Sequence, residues 1–218
     1  MPQGNGYARP AYSLRAIQGY AEMIKNPDYD FAMEEIREYA GIIETKSLYI
    51  KEVIEDLHFA TRLKNKEFTL QKKTRNVVVL LRDIVIQILN DPTHESREIQ
   101  FEANEESIYL EIDELLFRRA LHNLIENAIV HNHSHVQITV SIEKKERTHL
   151  FIQDNGKGIR KEELDRIFDR YYRGTNTGAA HKGSGLGMAI ARDIIKAHGG
   201  EIVISSEIGL GTTIEVRL

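Results

Sequence analysis

Residues 113–142 read DELLFRRALHNLIENAIVHNHSHVQITVSI, a helical pattern that passes through a short polar loop into a strand pattern. From Asp113 to Val130 apolar side chains recur every three to four residues, which marks one face of a helix. Val136, Ile138, Val140 and Ile142 then alternate with polar residues, as a half-buried strand should. A helix beside a strand with one apolar face predicts a sheet covered by helices on one side. Outward from this stretch, Val77 to Leu89 reads as a helix, and Ile99 to Phe101 and Ile108 to Glu111 as short strands. Leu150 and Ile152 begin a further strand. Gly199-Gly200 turns into Glu201 to Ser205, and Gly209 to Gly211 turns into Thr213 to Leu218. The expected fold class is α/β: a two-layer sandwich over residues 70–218, with a mixed sheet and helices on one face.

Ahead of it the pattern changes. Leu14, Ile17, Ala21 and Ile24 recur at helical spacing up to Asn26-Pro27, where the residue before proline resists helix. Ile36, Ile43, Ile50 and Leu57 then repeat every seven residues, the signature of a long helix with a coiled-coil-like seam. Residues 13–64 are therefore expected to form a helical hairpin. So small a hairpin buries too little surface to stand alone, and its seam predicts a homodimer joined through a four-helix bundle. Residues 1–12, with two glycines, two prolines and no periodicity, read as a flexible or non-native lead.

Composition narrows the function. The 218 residues are 41% hydrophobic and 28% charged, ordinary for a globular chain. A net charge of -4 argues against nucleic acid as a partner, because phosphate backbones reward clustered Lys and Arg. There is no Cys, so disulfides and thiolate metal sites are excluded. No apolar run approaches the roughly 20 residues of a membrane span, so no membrane contact is expected from this stretch.

Four elements carry chemistry. Asn123 and Asn127, four apart on the central helix, project their amides from one face, and an amide oxygen can join a Mg²⁺ shell. Asp154-Asn155-Gly156-Lys157-Gly158 follows an apolar strand. Its carboxylate can accept from an exocyclic amine while glycine admits a flat ring. Phe168-Asp169-Arg170-Tyr171-Tyr172-Arg173 is an aromatic and basic cluster ahead of a Gly-, Ser- and Thr-rich loop. Gly183-Ser184-Gly185-Leu186-Gly187 leads into a helix at Met188, a ready phosphate cradle. His131, His133 and His135 alternate as zinc ligands can, but they sit in a loop with no adjacent acid or Cys, so zinc is not expected.

In this order and spacing the four elements resemble the N, G1, F and G2 boxes of the histidine-kinase ATP-binding domain, within the gyrase, Hsp90, histidine kinase and MutL superfamily. Gly211-Thr212-Thr213 resembles the family's last-strand motif, and the Walker-type G-x-x-x-x-G-K is absent. The resemblance implies ATP and Mg²⁺ as cofactors. It implies that Asn127 coordinates the metal, Asn123 supports the phosphates and Asp154 holds the adenine amine. Gly156 and Gly158 would line the base, with His131 against the nucleotide. Gly185 and Gly187 would face phosphates, with 173–186 as a lid, and Gly183 and Leu186 would also belong to the nucleotide site. Arg170, Tyr172, Arg173 and Thr212 complete the implied nucleotide site. Val130 stands where the family often has Lys, which removes one phosphate contact.

The hairpin, through Ile17-Gln18-Gly19-Tyr20-Ala21-Glu22, resembles the family's dimerisation and phosphoacceptor domain. Counted back from Gly19-Tyr20, the family's H-E/D-L-K/R-T-P-L box falls on Ala8-Arg9-Pro10-Ala11-Tyr12-Ser13-Leu14, where only Leu14 agrees. The acceptor place is Ala8, so the catalytic residue set is left empty. His58, late in the second helix, reads as a packing or surface histidine.

The expectation is therefore the catalytic region of a two-component sensor histidine kinase. Its parent would move the γ-phosphoryl of ATP to a His and then to the Asp of a response-regulator receiver domain. The expected location is cytoplasmic, as the inner part of a membrane-bound sensor. The alternative is a degenerate, non-catalytic ATP-binding dimeric module. An anti-sigma-type serine kinase is disfavoured, because such kinases lack the hairpin.

Overall fold

The computed structural model describes residues 8–64, 69–94, 98–133, 135–172 and 185–218. Two helices come first, α1 (Ala8–Lys25) and α2 (Met33–Lys64). α1 starts inside the stretch expected to be an irregular lead. Pro10 is tolerated there because the N–H groups of a first helical turn have no intrahelical acceptor to lose. The break falls at Asn26-Pro27 as expected, and an aromatic cluster closes the turn. The Tyr20 and Tyr39 rings lie 5.2 Å apart, and Phe31 meets Tyr39 edge-on at 5.2 Å.

The rest is built on a five-stranded mixed sheet, ordered β2 (Glu98–Ala103), β4 (Gln137–Lys144), β5 (Thr148–Asp154), β7 (Gly211–Arg217), β6 (Glu201–Glu207). Only the β2–β4 pair is parallel. A separate two-stranded ladder joins β1 (Lys73–Asn76) to β3 (Tyr109–Ile112). β1 is too short and polar to have shown an alternation. It forms because its antiparallel partner supplies the ladder.

Helices α3 (Val77–Leu89), α4 (Glu114–Val130) and α6 (Gly187–Ala197) cover one sheet face, and the short α5 (Lys161–Leu164) sits on the loop after β5. Val140, Ile142, Leu150, Ile152, Ile214 and Val216 point from the strands into one buried cluster with Leu81, Phe117, Leu124 and Ile194. α3 is rich in β-branched residues, yet it folds as a helix because burial outweighs propensity and Asn76 caps it, accepting from Val78 N–H at 3.1 Å. Asp113 caps α4 in the same way. The His198 ring at the end of α6 bridges the two site-bearing helices: Nε2 accepts from the Asp113 N–H at 3.0 Å, and Nδ1 lies 2.8 Å from the Ile194 carbonyl. The imidazole is therefore held neutral, with its proton on Nδ1, and burial lowers its pKa.

The hairpin meets this layer through α2. Arg119 of α4 pairs with Asp56 at 2.7 Å, and its guanidinium stands 4.2 Å from the centre of the Phe59 ring. Phe59 itself belongs to the buried cluster. Among the described residues no helix is long and apolar enough to cross a membrane.

Candidate functional site

A cleft opens between the C-terminal half of α4, the turn after β5 and the start of β7. Asn127, Ala128, His131 and Asn132 line one wall; Asp154, Lys157, Gly158 and Ile159 line the other; Ile167, Thr212 and Ile214 close it. Apolar walls around a few directed polar groups suit a flat heteroaromatic ligand with one polar edge.

Asp154 ends β5, and its carboxylate is the acidic group among the described residues that line the cleft. It accepts the Gly156 N–H at 2.9 Å, with the Asn132 side chain and the Thr212 backbone beside it. Burial raises its pKa and the hydrogen bond from the Gly156 N–H opposes the rise. A partly desolvated acceptor of this kind rewards a matching donor strongly.

The glycines of this turn serve closeness. Gly158 lines the cleft at φ 71°, and a Cβ there would stand 2.1 Å from the Glu207 carbonyl oxygen. Gly156 lies behind the cleft wall: a Cβ would meet Asn132 Oδ1 at 1.9 Å, so its role is packing and the bond to Asp154. Thr212 is buried, paired to Asp154 across the β5–β7 ladder, with its hydroxyl 2.9 Å from Ser206 Oγ.

Asn127 and Asn123 lie on one face of α4, as their spacing predicts. Asn127 borders the cleft and its amide has no hydrogen-bond partner among the described residues. Asn123 donates to the Gly187 carbonyl at 3.2 Å, which ties α4 to the first residue of α6. The N-cap residue of α6, Leu186, makes no side-chain cap hydrogen bond. Gly185, at φ 73°, accepts the Tyr171 N–H at 2.9 Å, and Tyr171 itself is left-handed at φ 65°. Leu186 is fully buried and is not among the residues that line the cleft.

Arg170 pairs with Asp193 of α6 at 3.2 Å, a contact within the protein. Tyr172 is half-buried beneath the Arg166 guanidinium, 4.6 Å from the ring centre, and burial raises its hydroxyl pKa. Arg173 and Gly183, with most of the expected lid, lie outside the described residues. Sequence reasoning missed Asn132, Lys157, Ile159, Ile167 and Ile214. Asn132, five residues past Asn127, could have been flagged as a polar residue next to the motif; the isoleucines carried no signal of their own.

The donor set fits magnesium delivered with a phosphate ligand. One amide oxygen is a hard ligand but no cage, and the described residues hold no cluster of three or more His, Cys, Asp or Glu for a metal.

Residues 112–218 match the family model described as histidine kinase-, DNA gyrase B-, and HSP90-like ATPase. The sensor histidine kinase YvrG of Bacillus subtilis (strain 168) is 37% identical over 204 residues, covering 93% of this chain and 35% of that protein. The chain thus spans about a third of that relative's length. The Acinetobacter baumannii histidine kinase AdeS superposes with a TM-score of 0.72 over 94% of each chain at 19% identity. The histidine kinase ThkA, solved in complex with response regulator protein TrrA, superposes at 0.71 over 99% of this chain and 61% of that one, at 20% identity.

Proposed function

Residues 112–218 are a domain of the histidine kinase-, DNA gyrase B- and HSP90-like ATPase family, of the sensor histidine kinase type, and on that premise we propose that the chain binds ATP in the α4–β5 cleft as the catalytic region of a two-component kinase. The observation that carries this reading is the Asp154 carboxylate, which lines the cleft and is held there by the Gly156 N–H. It accepts the adenine amine, with the base lying between Gly158 and the Ile159, Ile167 and Ile214 side chains. The phosphates run toward the N-terminus of α6, the positive end of its helix dipole. Asn123 fixes that end of α6 against α4.

Asn127 would hold Mg²⁺, which supplies charge neutralisation on the phosphoryl group being transferred. The protein's part is positioning: the nucleotide is fixed at base and phosphates so that an acceptor can approach the γ-phosphorus. A His nitrogen forms the new P–N bond, ADP leaves, and the phosphoryl passes on to an Asp of a receiver domain. The acceptor place in this chain is Ala8, whose methyl has no lone pair. The chain therefore acts on a hairpin that carries an intact His box, within the inner part of a longer sensor.

Two measurements test the reading. By calorimetry, Asp154→Asn should weaken ADP·Mg²⁺ binding about 10- to 100-fold, since a charged hydrogen bond contributes about 1.5–3 kcal/mol. Unchanged affinity removes Asp154 from the site. With radiolabelled ATP, the chain alone should acquire no acid-labile label, while an added hairpin bearing the His box should. Label on the chain alone would point to another histidine such as His58. An unlabelled hairpin despite ATP binding and docking would favour the non-catalytic module.

A further inference from the structure

The core-facing side chains of β5, β7 and β6 stand in rows across the sheet. Leu150, Val216 and Ile202 form one row, and Ile152, Ile214 and Ile204 the next. The row that reaches the cleft is Asp154, Thr212 and Ser206, so the apolar face of the sheet ends there in polar residues. Asp154 and Thr212 line the cleft, whereas Ser206 is not among the residues that line it. Serine at this position of β6 gives up the apolar burial that Ile202 and Ile204 gain in the same phase of the strand.

Its hydroxyl meets three groups. The Ser206 oxygen accepts the Ile159 N–H at 2.8 Å, its proton goes to the Gly211 carbonyl at 2.8 Å, and Thr212 Oγ1 lies 2.9 Å away. A hydroxyl has one proton and two lone pairs, and a carbonyl oxygen can only accept. With the Ser206 proton on Gly211, Thr212 is the donor in the third bond. The Ser206 hydroxyl is then saturated, and Thr212 Oγ1 has no proton left for any other partner. The same hydroxyl joins β6, the start of β7 and the loop that carries Gly158 and Ile159. That loop is tied to the β6–β7 turn a second time, by the Gly209 N–H donating to the Lys157 carbonyl at 2.9 Å.

We propose that Ser206 is a positioning residue of the nucleotide cleft, acting from behind the wall through Thr212 and Ile159. The proposal rests on the nucleotide reading given above. By taking the Thr212 proton, Ser206 leaves Thr212 to meet the cleft as a hydrogen-bond acceptor only, so the water or ligand group beside it must donate. By accepting from the Ile159 N–H, it holds the loop wall of the cleft against β6 and β7. Without the Ser206 oxygen, the Thr212 proton is free to turn toward the cleft, and the Ile159 N–H loses its acceptor.

The test measures ADP·Mg²⁺ binding by calorimetry on the full chain, on Ser206→Ala, Ser206→Thr and Thr212→Val, and on the double variant Ser206→Ala with Thr212→Val. Ser206→Ala should bind about 3- to 10-fold more weakly, and threonine, which keeps the hydroxyl, should restore most of that loss. Because Ser206 acts in part through Thr212, the double variant should lose less than the product of the two single losses. Unchanged affinity in Ser206→Ala overturns the proposal. So does a threonine variant as weak as the alanine one, or a double loss equal to the product. If the unsubstituted chain binds no nucleotide, the nucleotide reading fails and takes the proposal with it; binding that Ser206→Ala leaves unchanged fails the proposal alone. A readout on the unsubstituted chain is independent of variant folding. The Ile159 amide proton should be protected from exchange by NMR in the nucleotide-free chain, and exchange at the unprotected rate overturns the assignment.

Discussion

At Gly211 the φ is 109°, and a Cβ would stand 1.8 Å from the Asp154 carbonyl oxygen. Both facts demand glycine, since L side chains avoid that backbone region and the obstacle is a strand that cannot swing aside. Gly211→Ala should therefore cost about 3 kcal/mol or more, read as a lower denaturant midpoint, and should weaken ADP binding because Asp154 is displaced with its backbone. A midpoint within about 0.5 kcal/mol of the parent would mean that the β5–β7 contact yields. Asp154, Asn127 and His131 were legible as site residues because they stand in or beside short motifs whose spacing is local. Gly156 was legible as a glycine but not for its reason. The residue it makes room for, Asn132, is 24 positions away in sequence, and only the folded chain brings them together.

Among the elements, β7 carries a charge ladder on the sheet face away from the helices. Glu215 bonds Arg217 at 2.7 Å and His149 of β5 at 2.7 Å, and Arg217 reaches Glu201 of β6 at 3.5 Å. The Arg217 guanidinium, aided by His149, holds the Glu215 carboxyl at about 2 against an ordinary 4.5. A folded pKa below the unfolded one means that the ionised group stabilises the fold above pH 4.5, and that this contribution is lost as pH falls through 2. In denaturant titrations Glu215→Gln should be less stable than the parent above pH 4.5, with the gap closing toward pH 2. A gap independent of pH would remove the ion pairs as its cause. α3, α4, β4, β5 and α6 were legible within a residue or two because each has a clean periodicity. β1 and α5 were not. They are four residues each and exist because of what they pack on.

At the scale of the molecule, the hairpin leaves apolar surface uncovered within one chain. Leu48, Ile54 and Leu57 are 55%, 61% and 46% exposed, while the seam residues Ile36, Ile43 and Ile50 are half-buried. A second copy of the hairpin would cover that surface in a four-helix bundle, consistent with the proposed kinase architecture. Ile43→Lys with Ile50→Lys places two charges on the seam and should give monomers by light scattering. Persistent dimers would take the seam out of the interface. The hairpin's link to the sheet layer through Asp56, Phe59 and Arg119 had no counterpart in the pattern, because an ion pair spanning 63 residues leaves no periodicity.

The amino-acid sequence by itself determined the class of fold and the order of its main elements, since helical and strand periods and glycine-rich turns are properties of neighbours along the chain; the four boxes were read from it by resemblance. The expected acceptor place, Ala8, likewise follows from counting back from Gly19-Tyr20 along the resemblance. Only the tertiary structure decided which side chains meet across the cleft. It placed Asn132 against Gly156 and Asp154, paired Arg170 with Asp193, and buried Leu186. Those outcomes depend on distances between segments remote in the chain, which packing of the whole core sets and no local pattern encodes.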